Sequence, residues 1–341
     1  MRSVVVVEPN KVEIRELKNP TPGPYQALVR TDICAMCNST DAKLVAGHFP
    51  GIGLDMYPLV LGHEATGIVV AVGEKVTSFK VGDRLLSGML FDFETGYSSG
   101  WGGFSDYTLS NDFDAMKAAG IADEEHGCFE CNEIQNVVPA DIGADEAALL
   151  CTWREVMGGI DVFGIKPTDR VLIYGGGPVG MSFAKFGRLL GWDWIGLVDV
   201  LEWKRHKAME LGATAVFAPD DLAIADNGKY DVIIDAVGKP GIINQAVSMI
   251  KMEGKICVYG VLAEDSFTLN KSTGPYNFNL MIHQWPTRKL ERASMEPICH
   301  WIRQGKLSAA EFVTHRFPVE NINDALNAVK SGQVLKCLVD F

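Results

Sequence analysis

The stretch Val171-Leu-Ile-Tyr-Gly-Gly-Gly-Pro-Val-Gly180 constrains this chain more than any other. Val171 to Tyr174 is an apolar run of strand length, and Val179, Phe183, Phe186 and Leu190 then recur at helical spacing. Gly175, Gly177 and Gly180 fit G-x-G-x-x-G. A second apolar run, Trp194 to Val198, ends in Asp199, 19 residues after Gly180. A lone glycine match would mean little in a chain with 35 glycines among 341 residues, but strand, turn, helix and acidic residue together form the full dinucleotide fingerprint. Gly175 allows the tight turn, Gly177 lets backbone approach a pyrophosphate, and Gly180 lets helix and strand pack closely. The helix N-terminus, opened by Pro178 and Val179, offers unpaired N–H groups, Val179's among them, to phosphates.

The segments around this motif alternate in kind. A charged helix over 202–211 follows, then strands at 213–218 and 230–237, the latter ending in Val237 beside the expected cofactor site. A helix from Ile242 to Met252, closed at Gly254, precedes a strand at 255–261. Such alternation predicts βαβ units on a doubly wound parallel sheet over residues 152–289. Residues 1–151 read differently. Val4–Val7, Lys11–Leu17, Gln26–Ile33, Gly67–Val72 and Arg84–Ser87 are short strand-like runs separated by Pro- and Gly-rich turns, which predicts an antiparallel, barrel-like β domain. Residues 290–341 add helices near 296–304 and 322–331 and a closing strand at 334–339. Residues 110–133, acidic and alanine-rich, read as a partly helical insertion.

Composition narrows the partners. A net charge of −12 and a pI near 5.1 disfavour nucleic acid. The N-terminal apolar run is too short for a signal peptide, and no stretch approaches the ~18 apolar residues of a membrane span. A cytoplasmic protein is expected, with its eight cysteines acting as core thiols or metal ligands rather than as a disulfide scaffold.

Three of those thiols and a histidine draw attention. Cys34-Ala-Met-Cys37-Asn-Ser39-Thr40-Asp41 is followed by Leu61-Gly-His63-Glu64, and Cys151 precedes the nucleotide-binding region. Cysteine and histidine suit zinc. By spacing alone, Cys34 and Cys151 read first as packed thiols, and His63 could be a hydrogen-bonded core histidine.

Together these segments resemble the medium-chain zinc-dependent alcohol and polyol dehydrogenases over nearly the whole chain. Cys37-Asn-Ser-Thr-Asp41 is similar to the family's Cys-Gly-Ser/Thr-Asp. Leu61-Gly-His-Glu64, Gly67 and Val81-Gly-Asp-Arg84 are its most specific match. Gly102-Gly-Phe-Ser-Asp-Tyr107 and the closing Leu335-Lys-Cys-Leu-Val-Asp-Phe341 fall in family order. The resemblance implies a GroES-like β-barrel catalytic domain, formed by 1–151 and 290–341, beside a Rossmann NAD-binding domain. It implies that Cys37, His63 and Cys151 bind zinc, with Glu64 as an exchanging or substitute ligand and Asp41 orienting a ligand histidine. Thr40, with Ser39 as its rival, would take the substrate proton. Lys336 would reach the cofactor pyrophosphate. Asp199 would receive the adenosine ribose hydroxyls and repel a 2′-phosphate, favouring NAD. The active site is expected in the cleft between the domains, the substrate to be a secondary alcohol or polyol, and the protein to be a homodimer or homotetramer.

The sequence also departs from the family. One extra residue separates Cys37 from Asp41. Lys43 stands where a relay histidine often lies, with His48 as a candidate substitute. The four-cysteine lobe of a structural zinc is missing, and Cys128-Phe-Glu-Cys131 supplies only half a site. Phe49, Tyr97, Trp101, Trp153, Trp285 and Arg288 are candidate pocket residues, and Arg154 and Glu155 candidate partners for substrate hydroxyls. The competing expectations are a zinc-free or NADPH-dependent reductase of the same superfamily, and a nucleotide-binding relative without catalysis.

Overall fold

The computed structural model describes residues 1–94, 96–221 and 229–341. The chain divides into two compact units, Met1–Thr152 with Met295–Phe341, and Trp153–Ser294.

The first unit is built from strands β1 (Arg2–Glu8), β2 (Lys11–Glu16), β3 (Gln26–Met36), β4 (Leu59–Val60), β5 (Glu64–Val72), β6 (Arg84–Leu86), β7 (Ser98–Ser99) and β8 (Tyr107–Asn111), joined by β15 (Val313–Pro318) and β16 (Lys336–Asp340) from the end of the chain. They form a four-stranded sheet, β2-β1-β4-β7, and a larger sheet in the order β15-β16-β3-β5-β6, with β8 also paired to β3. Val4 and Val6 of β1 and Cys34 and Met36 of β3 point into one core with Leu61, Phe104, Cys337 and Val339. Period-2 alternation places these residues on the buried face. Cys34 is thus a packed strand thiol.

The register of the long strand β3 decides what its end faces. It pairs antiparallel with β5, Ala35 opposite Glu64, and antiparallel with β16, Met36 opposite Cys337. The C-terminal end of β3 is therefore flanked by the first residues of β5 and β16. The predicted strands stop short here: β3 runs three residues past Ile33 and β5 begins three residues before Gly67, because pairing with neighbours extends both beyond their apolar runs.

The 110–133 segment holds a short helix, Phe113–Ala118, and 3₁₀ turns at Glu124–His126 and Glu130–Ile134. Cys128 is buried and Cys131 half-buried, both as free thiols. A 20-residue helix, Ala144–Phe163, carries Cys151 and spans the boundary between the units. Its continuous apolar stretch gives little helical periodicity, and the sequence reading does not place it.

In the second unit, β9 (Arg170–Tyr174), β10 (Trp194–Val198), β11 (Ala215–Phe217), β12 (Tyr230–Asp235), β13 (Ile250–Val258) and β14 (Asn279–Ile282) form an all-parallel sheet in the order β11-β10-β9-β12-β13-β14. This is the doubly wound arrangement of a dinucleotide-binding domain. The helix expected over 242–252 instead covers Pro240–Met249, and strand β13 follows at once from Ile250. Gly254 lies inside that strand rather than at a helix end. A side chain there would press on Ile250 and on the Asp231 carbonyl, so close packing rather than helix termination requires this glycine. Among the described residues, no helix is long and apolar enough to cross a membrane.

Candidate functional site

The first cluster forms where β3 ends. Gly62 adopts φ +98°, and a Cβ there would lie 2.4 Å from the Phe104 backbone nitrogen, so only glycine makes this turn. It presents His63 and Glu64 at the start of β5, against Cys37 just past β3. The ligand atoms of Cys37, His63 and Glu64 all lie within 4.8 Å of one another, the only such three-residue metal-ligating group among the described residues. Asp41, 1% exposed, accepts the Cys37 N–H at Oδ2 (2.8 Å) and faces His63 Nδ1 with Oδ1 (3.5 Å). Both facing atoms are buried and otherwise unpartnered. This arrangement points Nδ1 at a carboxylate and leaves Nε2 for an ion, as in metal-ligating histidines generally. Burial opposes charge on His63, but the Asp41 and Cys37 side chains outweigh it and raise the imidazole well above its ordinary value.

Cys151 lies outside this three-residue group, buried on its helix. Its neighbour Thr152 donates its hydroxyl to Glu64 Oε2 (3.3 Å). Sequence reasoning missed Thr152, because nothing local marks it. Lys336, at the start of β16, is 1% exposed and pairs with Glu64 Oε2 at 2.5 Å. Thr152 Oγ1 also accepts from its Nζ (3.3 Å).

Of the two relay candidates, Ser39 is exposed, while Thr40 is half-buried and its N–H reaches the Cys37 sulfur (3.4 Å). His48 is exposed, and its N–H donates to the Lys43 carbonyl. Trp101 stacks edge-on to His63 (6.0 Å between centroids) and to Phe49 (5.3 Å), so two of the expected pocket aromatics stand beside the cluster. Trp101 holds φ +74°, a costly conformation for a bulky residue. Arg154 differs from expectation. It is fully buried in the second unit, 3.8 Å from the equally buried Glu291, and so is not open to a substrate hydroxyl. Glu155 lies 3.9 Å from Arg288, which also bonds Glu291 (2.8 Å).

The second cluster is the glycine turn. Gly175 adopts φ +100°, and a Cβ on Gly180 would lie 1.8 Å from the Gly175 carbonyl oxygen. Around Gly177 nothing lies within 4 Å of a built Cβ: no protein atom needs that glycine, and the space it leaves open fits a phosphate at the helix start. Pro178 and Val179 begin the helix Pro178–Leu189, for which Gly177 is the N-cap. Val237, 40% exposed, packs its side chain over Gly175. Asp199 accepts the Gly176 N–H at Oδ2 (2.6 Å) and the Leu201 N–H at Oδ1 (2.8 Å), so it braces the turn while keeping lone pairs free. Arg205 donates to the carbonyls of Asp199 (2.8 Å) and Val200 (3.1 Å). Asp235, also missed in the sequence, ends β12 and accepts N–H bonds from Val237, Gly238 and Lys239. Its signal was an aspartate closing a parallel strand just before a glycine turn.

The comparisons with known proteins agree with this geometry. The alcohol dehydrogenase GroES-like domain matches residues 23–120, and the zinc-binding dehydrogenase domain matches residues 178–282. A sorbitol dehydrogenase of Halalkalibacterium halodurans is 27% identical, covering 96% of this chain and 94% of its own. An NADP-dependent isopropanol dehydrogenase of Entamoeba histolytica is 30% identical, covering 97% and 93%. The alcohol dehydrogenase RspB of Escherichia coli CFT073, solved with NADH, superposes with a TM-score of 0.80 at 20% identity over 100% of this chain and 99% of that one. The chain belongs to the medium-chain, zinc-type alcohol dehydrogenase family. Within it, the chain is an oxidoreductase of alcohols or polyols.

Proposed function

We propose that this protein is a zinc-dependent, NAD-linked dehydrogenase that interconverts a secondary alcohol or polyol and its carbonyl product. The observation that carries the reading is the convergence of Cys37, His63 and Glu64 within 4.8 Å, with Asp41 behind His63. Sulfur, nitrogen and carboxylate donors together suit zinc. Cys37 and His63 would hold the ion, with Cys151 as the further ligand implied by the family and Glu64 as the exchanging carboxylate. Bound zinc supplies Lewis acidity, which favours the alkoxide form of an alcohol as it lowers the pKa of water to about 7 in favourable sites.

The chain's own groups do the remainder. Thr40, whose backbone N–H lies against the Cys37 sulfur, would accept the alcohol proton at its hydroxyl while passing that hydroxyl's own proton on to water; Ser39 is too exposed to compete. Trp101 and Phe49 form an apolar wall beside His63 and exclude water there. The Gly175–Gly180 turn and the helix behind it hold the pyrophosphate, with Val237 packed over Gly175. Asp199 receives the ribose hydroxyls. Nicotinamide supplies the hydride acceptor. A second reading, NADP, draws support from Arg205, whose guanidinium lies on the carbonyls beside Asp199 and offers charge to a 2′-phosphate. A homodimer or homotetramer in the cytoplasm is the setting the family implies, and light scattering after size exclusion reads the assembly.

Metal analysis and a screen of NAD⁺ and NADP⁺ reduction over alcohols, polyols and sugars test the proposal together. About one zinc per chain and turnover lost in Cys37→Ala are expected. Zinc-free protein that turns over alcohols, or a Cys37→Ala variant as active as wild type, would sink it.

A further inference from the structure

Asp235 holds more of the second unit's backbone than its place at the end of β12 requires. It is 1% exposed. Its Oδ1 accepts the N–H groups of Val237 (2.9 Å) and Gly238 (2.9 Å), and its Oδ2 accepts that of Lys239 (3.1 Å). Its main-chain carbonyl accepts two more, from Tyr259 (2.9 Å) and Gly260 (2.8 Å), just past β13. One residue therefore ties together the turns that leave two neighbouring parallel strands. Glycines let those turns touch. Gly238 holds φ +81°, where a Cβ would lie 2.5 Å from the Val261 carbonyl oxygen, and a Cβ on Gly260 would lie 2.2 Å from the Gly238 nitrogen. Burial raises the Asp235 carboxyl above its ordinary value, against the three N–H donors and Lys239, which lower it. A buried carboxylate is costly unless its oxygens are hydrogen-bonded, so the turn and the charge stabilise each other.

The turn after β12 reaches the glycine motif. Ala236 donates its N–H to the carbonyl of Tyr174 (2.9 Å), the last residue of β9, and a Cβ on Gly175 would lie 2.7 Å from Val237 Cγ2. Strand order sets which half of a dinucleotide this turn meets. Asp199 follows β10 on one side of β9, and Val237 follows β12 on the other. With adenosine at Asp199 and pyrophosphate at Gly175–Gly180, the nicotinamide half runs past the turn after β12. We propose that Asp235 is a positioning residue for that half of the cofactor: it holds the turn from Ala236 to Lys239 so that Val237 walls the nicotinamide side. This rests on the dinucleotide-binding reading above. Without the carboxylate, a short turn containing a glycine would sample many conformations, and binding would have to order it. Asp235 orders it beforehand.

The test compares Asp235→Ala, Asp235→Asn and Val237→Ala with wild type by calorimetric titration with NADH and with ADP, which carries adenosine and pyrophosphate but no nicotinamide. Alanine removes every side-chain acceptor. Asparagine keeps the shape and one accepting oxygen, but its amide would oppose the Lys239 N–H. NADH should bind about tenfold more weakly to Asp235→Ala and about threefold more weakly to Asp235→Asn, the scale of one or two lost hydrogen bonds. ADP affinity should change less than about twofold in every variant, which a general loosening of the domain would not allow. Amide exchange at Val237, Gly238 and Lys239 should quicken in the two Asp235 variants. In Val237→Ala it should keep the wild-type rate while NADH binding weakens, because the wall is lost and the turn is not. Melting curves identify a variant that fails to fold, and Asp235→Asn then carries the comparison. Equal weakening of NADH and ADP would overturn the proposal and make Asp235 a general support of the domain. Quickened exchange with NADH affinity unchanged would overturn it too, since the turn would then not meet the cofactor. Wild-type protein that binds neither NADH nor NADPH would instead refute the dinucleotide-binding reading itself.

Discussion

His63 Nδ1 lies 3.5 Å from Asp41 Oδ1, and each is buried with no other partner. The pair fixes which imidazole nitrogen faces the metal-ligating group. Asp41→Asn keeps the shape but removes the charge behind His63. Zinc affinity should fall about 10- to 100-fold, the usual cost of losing such an outer partner, as read by chelator competition. An unchanged affinity would mean that Asp41 serves only the Cys37 N–H.

Zinc binding should depend on pH in a stated direction. Asp41 and Cys37 raise the metal-free His63 imidazole well above its ordinary value against the opposing effect of burial. A proton held there competes with the ion. Apparent zinc affinity should therefore rise with pH across the neutral range, with proton release on binding, in calorimetric titrations in buffers of different ionisation enthalpy. Asp41→Asn should move that rise to lower pH.

Two glycines of the turn should fail in different ways. Gly180→Ala puts a methyl 1.8 Å from a backbone oxygen, which no side chain can relieve, so the protein should lose about 3 kcal/mol or more of stability or fail to fold. Gly177→Ala meets nothing within 4 Å. It should melt within a few degrees of wild type yet bind NADH at least tenfold more weakly. Equal NADH affinity would remove Gly177 from the phosphate site.

Cofactor choice should divide between two side chains. Asp199→Ala should reduce the preference for NADH over NADPH, and Arg205→Ala should reduce NADPH use while sparing NADH. The ratio of kcat/KM values for the two cofactors measures both. An Asp199→Ala enzyme with the wild-type ratio would place the selection elsewhere.

Asp112 should contribute to the acid sensitivity of the first unit. It is fully buried and accepts from the N–H groups of Thr77, Ser78 and Ala115 and from the Ser78 hydroxyl. Burial raises its carboxyl, but those donors outweigh it and hold the carboxyl below its usual value. A depressed folded pKa contributes stability that is present above the unfolded carboxylate value near ~3.9 and is lost as pH falls below it through the folded pKa. Asp112→Ala should cost about 3 kcal/mol by orphaning several buried donors, measured by urea unfolding at pH 7. Asp112→Asn should flatten the loss of stability below pH 4.

Local chemistry made much of this protein legible. The helix at 202–211 ends at Gly212 in the left-handed conformation that the sequence invites, and β9 and β10 fall where their apolar runs lie. Where neighbours extended an element, the sequence fell short. β3 and β5 reach past their hydrophobic runs through pairing, and β13 starts at once after its helix because β12 offers it partners. The resemblance gave Lys336 to the cofactor and the sequence offered Arg154 to the substrate, and neither reading could show the acidic side chains beside which both are buried.

The sequence by itself determined the glycine turn, the acidic residue at the end of β10 and the residue types that could hold a metal, because turn geometry and ligand chemistry are properties of a few residues. The tertiary structure alone decided that Thr152 and Lys336 join Cys37, His63 and Glu64. That meeting depends on the register of β16 and β5 against β3, which is set by the burial of whole strand faces rather than by any local signal.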